Sequence, residues 1–250
     1  MVLSRELFSA AAPAILSEGG VAEEIMEEIE CAVVFRIPVP FIEGGIPVYE
    51  STVVTWIIIA AITLICALMT RKMELIPGKR QMLVETGVKW IRDFVIDNLG
   101  EQGKRYVPYL GTVLIYIGVA NIIGMFGMKP PTKDLSVTGA LAIMSIVFVQ
   151  YANFRHNKLG GYFKSFAKPT PVMLFMNVLE LGIKPLSLCL RLFGNVIAAF
   201  IIMKLIEMLC PVGLPLVGSA YFDLFDGFLQ AYIFFFLTTL YVSEVTEDEE

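Results

Sequence analysis

Long runs of apolar residues dominate the chain, and short polar or basic segments separate them. Apolar stretches of about 18 residues or more are typical of membrane-spanning helices. These runs predict five spans, at residues 52–70, 109–128, 135–153, 172–209 and 221–242. The third should end at a basic cluster, with a helix break at Gly160-Gly161. The pattern therefore predicts an all-α integral membrane protein with its membrane domain over residues 51–243.

A different pattern follows the first span. Over residues 80–99, apolar and charged residues are mixed as in a helix with one apolar face. This mixture predicts an amphipathic helix that lies in the plane of the membrane surface or against other helices. We predict no span in residues 1–50, which carry an acidic stretch and a Pro/Gly-rich segment unsuited to regular helix. Residues 244–250 form a short acidic tail.

The basic residues of the connecting segments are unevenly divided between the two sides of the membrane. Twelve Lys and Arg residues follow the first and third spans, and four lie on the opposite side. Cytoplasmic loops of membrane proteins carry the excess of Lys and Arg. We therefore expect the N-terminus outside and the C-terminus in the cytoplasm.

Composition narrows the possible functions. The chain is 56% hydrophobic and 17% charged, whereas soluble domains average about 45–50% and about 25%. A net charge of −5 and the lack of a basic patch with interleaved aromatic residues argue against nucleic-acid binding. With one histidine and four cysteines that lack metal-ligand spacing, we expect no metal centre and no cofactor.

Three cations interrupt the fourth predicted span: Lys184, Arg191 and Lys204. Ionisable residues inside a span are costly and are functional candidates by default. Lys184 has a partner in Glu180, one helical turn earlier. Arg191 has no acid three or four residues away on its own helix. Its counter-charge is therefore expected from elsewhere, which makes Arg191 the most informative residue of the chain.

Polar residues also form a stripe along each of the last two spans, because they recur every three or four residues. The members are Asn177, Glu180, Lys184, Ser187, Arg191 and Asn195 on the fourth span, and Asp223, Asp226 and Gln230 on the last. Two facing polar stripes inside lipid predict an aqueous path for ions. The alternative is that they are hydrogen-bonding contacts that hold the two helices together.

The fourth run is too long for an ordinary span. Its 38 residues would form a helix of about 57 Å, against a hydrocarbon core of about 30 Å. No proline lies between Pro185 and Pro211. We therefore predict one unbroken, steeply inclined helix, which forms a long tilted pair with the last span.

Residues 184–195, KPLSLCLRLFGN, resemble the signature of subunit a of rotary F-type ATP synthases. Three further stretches are similar to that family: PGKRQ at 77–81, PTKDLSVT at 131–138 and FLQAYIF at 228–234. The resemblance covers about residues 50–243. It implies an ion-translocating stator subunit with two half-channels that performs no covalent catalysis itself. It also implies three partners in a bacterial plasma membrane: a ring of c subunits, the stator stalk subunit b and the remainder of the ATP synthase.

The resemblance also implies roles for particular residues. The essential arginine of the family falls on Arg191, where it would face the carboxylate of the rotating ring. Its asparagine falls on Asn195 and its glutamine on Gln230. The position that often holds an acid or a histidine, seven residues before that glutamine, is Asp223.

One departure from the family pattern affects the outer half of the pathway. Family members often carry Gly and then an acid or histidine where this chain has Ala199 and Phe200. We therefore expect Asp223 or Asp226 to serve the outer half-channel. The stripe residues Ser187, Lys184 and Glu180 complete the predicted ion pathway.

Two other classes of function are open from the residues alone. A secondary transporter would use the polar stripes as a substrate site, but such folds usually contain internal repeats, and we find none. A purely structural scaffold subunit would not need an unpaired arginine inside the membrane. The sequence does not decide between H⁺ and Na⁺ as the driving ion, because residues of the ring should determine it.

Overall fold

The structure is a computed structural model and describes residues 33–37, 46–71, 78–126, 130–167, 171–209 and 214–246. Most of these residues are helical, which confirms the prediction of an all-α membrane protein. The exception is a small antiparallel hairpin in which β1, Val33–Ile37, pairs with β2, Ile46–Tyr49. The hairpin was not predicted. The acidic stretch before it lies outside the described residues.

Seven α-helical segments, joined in places by short 3₁₀ turns and one π-helical segment, make up most of the rest of the described chain. They are α1, Glu50–Thr70; α2, Lys79–Leu99; α3, Val107–Ile122; α4, Leu135–Ala167; α5, Pro171–Leu209; α6, Leu214–Ser219; and α7, Gly227–Thr246. The 3₁₀ turns are Glu101–Arg105, Ile123–Phe126 and Pro131–Lys133.

Within the described part of the chain, four helical stretches are long and apolar enough to cross a membrane: Glu50–Thr70, Leu135–His156, Phe175–Ile206 and Val217–Thr246. The remaining predicted span corresponds to α3, which has 16 residues. With the 3₁₀ turn that continues it, this segment is about 32 Å long, enough for a hydrocarbon core of about 30 Å. The count of five spans stays a prediction.

One predicted helix end is wrong. The helix break at Gly160-Gly161 does not occur, because α4 continues to Ala167. A glycine inside a helix costs only about 1 kcal/mol, and α4 contains no proline. The end of the second span at residue 128 lies outside the described residues and stays a prediction; α3 ends at Ile122, and a 3₁₀ turn continues it to Phe126. Gly124 lies in that turn and lowers its helix propensity.

The long helix α5 is unbroken over 39 residues, as the sequence predicted. Its apolar part, Phe175–Ile206, has 32 residues and measures about 48 Å. To fit a core of about 30 Å, such a helix must be strongly inclined. This length supports the predicted steep tilt, which stays a prediction.

A π-helical segment, Ala220–Asp226, leads directly into α7. In a π-helix each N–H bonds to the carbonyl five residues back, so a turn takes more residues than in an α-helix. The predicted stripe of Asp223, Asp226 and Gln230 assumed α-helical spacing. That spacing applies from Asp226 onwards and is wrong between Asp223 and Asp226. Single π turns inside helices are frequent at functional sites.

The amphipathic helix α2 packs against α7 through aromatic side chains. The ring centroids of Phe94 and Phe235 are 5.0 Å apart, and those of Trp90 and Tyr232 are 6.3 Å apart. Leu83, on another side of α2, is 71% exposed. The predicted packing of this helix against other helices is therefore confirmed, and its orientation relative to the membrane plane stays a prediction.

Two buried apolar clusters hold the bundle together. The first joins α1, α3, α4, α5 and α7 and includes Ile58, Ile117 and Leu192. The second joins α2, α3, α4 and α7 and includes Val95 and Val242. Because lipid is as apolar as these side chains, close packing rather than exclusion from water drives the association of such helices.

Candidate functional site

The polar stripes of α5 and α7 meet at Asn195 and Gln230. Asn195 Nδ2 donates a hydrogen bond of 2.6 Å to Gln230 Oε1. Gln230 is only 2% exposed, and its Nε2 has no hydrogen-bond partner among the described residues. A buried donor without a partner costs about 1–3 kcal/mol. A buried amide donor without a partner calls for an explanation, such as a bound water molecule or a functional contact.

Arg191 lies one turn before Asn195 and is half-buried. It forms no hydrogen bond or ion pair with any described residue, in keeping with the absence of a local acid in the sequence. Its neighbour Leu192 is fully buried in the bundle, whereas Leu190 is 49% exposed. Arg191 is therefore positioned at the border between the packed and the open face of α5.

The open face of α5 carries large apolar side chains at both ends and small residues in the middle. Its exposed members follow helical spacing: Ile183, Leu186, Leu190, Gly194, Ala198 and Ile202. A Cβ added to Gly194 would meet no atom within 4 Å. Small residues allow a neighbouring helix to approach closely, so this face has room for a helix of another chain beside Arg191.

Lys184 has two acidic partners. Its Nζ lies 3.0 Å from Glu180 Oε2, which confirms the pair predicted from the sequence. It also lies 2.7 Å from Glu244 Oε2 at the end of α7, and 5.2 Å from the centroid of the Tyr241 ring. Glu244 was not among the predicted site residues, because the last predicted span ends at residue 242. The available signal was spacing, since Glu244 follows Gln230 by 14 residues and so lies on nearly the same face of the helix.

Phe200, in the later part of α5, lies against a cation that was not among the predicted site residues. Lys133, in the 3₁₀ turn before α4, is 5% exposed, and its Nζ lies 3.3 Å from the centroid of the Phe200 ring. Phe200 is the position at which the family pattern often has an acid or histidine. Nothing in the local sequence marks Lys133 as buried, because its partner lies 67 residues away in the chain.

The turn that carries Lys133 is tied to the start of α7. Thr132, fully buried, donates a hydrogen bond of 3.0 Å to Asn121 Oδ1, and Asn121 Nδ2 donates one of 3.1 Å to the Gly227 carbonyl. A Cβ on Gly227 would come within 2.8 Å of the Asn121 Cβ. This junction therefore fixes the end of the π-helical segment against α3.

The remaining predicted site residues take no part in the contacts described above. Ser187 and Asp226 are half-buried, and neither forms a hydrogen bond with a described residue. Asp223 lies in the π-helical segment, and its side chain is outside the described part of the structure. Among the side chains that are described, no three His, Cys, Asp or Glu residues come together as metal ligands.

Comparison with known proteins gives a consistent result. Residues 52–243 match the family model of the ATP synthase A chain. The chain is 35% identical to "ATP synthase subunit a" of Moorella thermoacetica over 80% of its own length and 92% of that protein. It is 34% identical to "ATP synthase subunit a 2" of a Bradyrhizobium strain, over 80% and 89% of the two chains. It is also 30% identical to "ATP synthase subunit a, sodium ion specific" of Propionigenium modestum, over 82% and 77%. The chain thus belongs to the subunit a family of F-type ATP synthases and is an ion-translocating, multi-pass membrane subunit of the bacterial enzyme's stator.

Proposed function

We propose that this chain provides two half-channels for ions and that Arg191 separates them. The observation that carries the proposal is the position of Arg191, a cation inside an apolar helix with no partner among the described residues and with an open helix face beside it. An arginine side chain stays charged in proteins. An ion therefore meets a fixed positive charge on the direct route and must take another way across.

The ring of c subunits supplies that other way and also the counter-charge. A ring carboxylate that passes the open face of α5 pairs with Arg191 and must release its ion as it does so. After it has moved past Arg191, it takes up a new ion from the second half-channel. One elementary charge that crosses 100 mV contributes about 2.3 kcal/mol, so several such transfers are needed for each ATP.

Asn195 and Gln230 lie close to Arg191, where the ring carboxylate exchanges its ion. The Nε2 group of Gln230 has no partner among the described residues and is available to a water molecule of the pathway, since Asn195 binds only the Oε1 atom. Ser187, Lys184 and Glu180 extend the polar face toward the cytoplasmic half-channel. Asp223 or Asp226 serves the outer half-channel, since Phe200 carries no ionisable group.

The proposed topology follows the distribution of basic residues, with residues 1–50 outside, residues 51–243 in the membrane and residues 244–250 in the cytoplasm. The ring faces α5, and subunit b and the rest of the ATP synthase complete the assembly. The Lys184 end of α5 then faces the cytoplasm, and the Phe200 end faces outward.

Cross-linking between this chain and the ring tests the proposed contact. In a variant of the complete complex with Cys31, Cys66, Cys189 and Cys210 replaced by serine, Leu190→Cys on the open face should form a disulfide with a cysteine placed next to the ring carboxylate. Leu188→Cys is the matched control, because Leu188 lies on the same helix but is 1% exposed and packs into the bundle. Equal cross-linking of the two variants, or of the control alone, would rule out the proposed face.

A further inference from the structure

Two links between α5 and α7 lie on either side of Arg191. Asn195 bonds to Gln230 at 2.6 Å, and Lys184 bonds to Glu244 at 2.7 Å. Lys184 precedes Arg191 by seven residues and Asn195 follows it by four, so all three share one helix face. The order of the partners is reversed on α7, which shows that the two helices run antiparallel here.

The second link joins the two helices through Glu244, which lies on α7. Lys184 is already paired with Glu180 on its own helix, at 3.0 Å. Its side chain is 18% exposed, while that of Glu244 is 53% exposed. Since one ammonium group faces two carboxylates, neutralisation of Lys184 does not require Glu244. What Glu244 adds is a bond that holds the end of α7 to α5.

The separation of the two links gives them a geometric effect. They are 11 residues apart on α5, which corresponds to about 16 Å along the helix. One contact leaves a helix free to pivot, whereas two contacts at this distance set both the spacing and the crossing angle of the pair. The spacing of α5 and α7 at Arg191, which lies between the links, therefore depends on both.

We propose that Glu244 is a positioning residue for ion translocation. Through Lys184 it holds the cytoplasmic end of α7 against α5 and sets the spacing of the two helices at Arg191. Glu244 itself touches no translocated ion. The inference rests on the proposed function, because the spacing at Arg191 matters only if ions are exchanged there.

The test uses the complete ATP synthase in sealed inverted vesicles, with two measurements. The first is the number of ions pumped per ATP hydrolysed, and the second is passive ion leak after removal of the catalytic sector. Glu244→Ala removes the link and Glu244→Lys replaces it with repulsion. Both should lower the pumping ratio, by about two- to fivefold, the range that a partly exposed ion pair supports, and both should raise the leak.

A conservative variant and a matched control complete the design. Glu244→Asp keeps a carboxylate opposite Lys184 and should retain most of the coupling that Glu244→Ala loses. Glu101→Lys makes the same change of charge in a pair with Lys104 on a 3₁₀ turn outside α5 and α7, and it should pump as the unmodified enzyme does.

The outcomes separate this inference from the function on which it rests. Unmodified coupling and leak in both Glu244→Ala and Glu244→Lys would overturn the inference, and so would a loss in Glu244→Asp as large as that in Glu244→Ala. If Glu244→Lys does not assemble, Glu244→Ala and Glu244→Asp decide. Full pumping by Arg191→Ala would instead overturn the proposed function itself.

Discussion

Asn195 and Gln230 are joined by a hydrogen bond of 2.6 Å between their side-chain amides. The bond uses the carbonyl of Gln230 and leaves its Nε2 with no partner among the described residues. Both residues belong to polar stripes that the sequence places on different helices. Their contact turns two separate stripes into one polar surface one turn from Arg191, inside a bundle whose other contacts are mostly apolar.

This contact predicts strong coupling between the two residues. Asn195→Leu leaves the buried Gln230 carbonyl without its donor, which should destabilise the complex by about 1–3 kcal/mol. Asn195→Leu combined with Gln230→Leu removes both polar groups and should cost clearly less than the sum of the single changes. The thermal denaturation midpoints of the purified complexes measure this. Strict additivity would mean that the two amides do not support each other.

The contact between Lys133 and Phe200 predicts that an acid is tolerated at position 200 in this chain. Phe200→Glu places a carboxylate within reach of the buried ammonium group of Lys133, and opposite charges at such a distance favour each other. ATP-driven pumping should therefore persist in Phe200→Glu. It should fall sharply when Lys133→Met is added, because the acid is then buried without that cation. Equal pumping in the two backgrounds would contradict this role of Lys133.

The approach of α7 to α3 predicts that Gly227 does not accept a larger residue. Gly227→Ala would bring a Cβ within 2.8 Å of the Asn121 Cβ, and overpacking of this kind typically costs about 1–3 kcal/mol. Gly118→Ala is the matched control, because its Cβ would lie 3.9 Å from Ala231, an ordinary contact. The yield and denaturation midpoint of the assembled complex should fall for Gly227→Ala only. Two equally stable variants would show that the helices can separate without cost.

The features that were predicted correctly depend on the spacing of residues close together in the chain. The apolar runs located the helices, and the uninterrupted α5 followed from the absence of a proline after Pro185. The pair of Glu180 and Lys184 followed from one turn of helix. Each of these features depends on residues close together in the chain, where helical geometry relates sequence distance to spatial distance.

The features that escaped prediction depend on distant residues or on a change of backbone geometry. The partners of Lys184 and Phe200 include Glu244 and Lys133, which lie 60 and 67 residues away. The π-helical segment alters the spacing on which the stripe through Asp223 was based. No periodic pattern encodes either kind of information. The glycine pair in α4 was misread because a modest propensity cost was treated as a break.

The outer half-channel gives a prediction for the two aspartates. Asp223→Asn and Asp226→Asn each remove one ionisable group from the segment that leads into α7. We expect the double change and at least one of the single changes to reduce ATP-driven pumping severely while the complex still assembles. Pumping at the unmodified rate by the double variant would assign the outer route to other residues and leave these two as surface acids.

The most direct test of the account is ATP-driven ion pumping by Arg191→Ala in sealed vesicles, measured separately for H⁺ and Na⁺. Arg191→Lys serves as the comparison, since a flexible ammonium group does not replace a planar guanidinium. Both variants should assemble with the ring in normal amounts, and neither should pump the ion that the unmodified enzyme pumps. Substantial pumping by Arg191→Ala in a fully assembled complex would contradict the central role of this arginine.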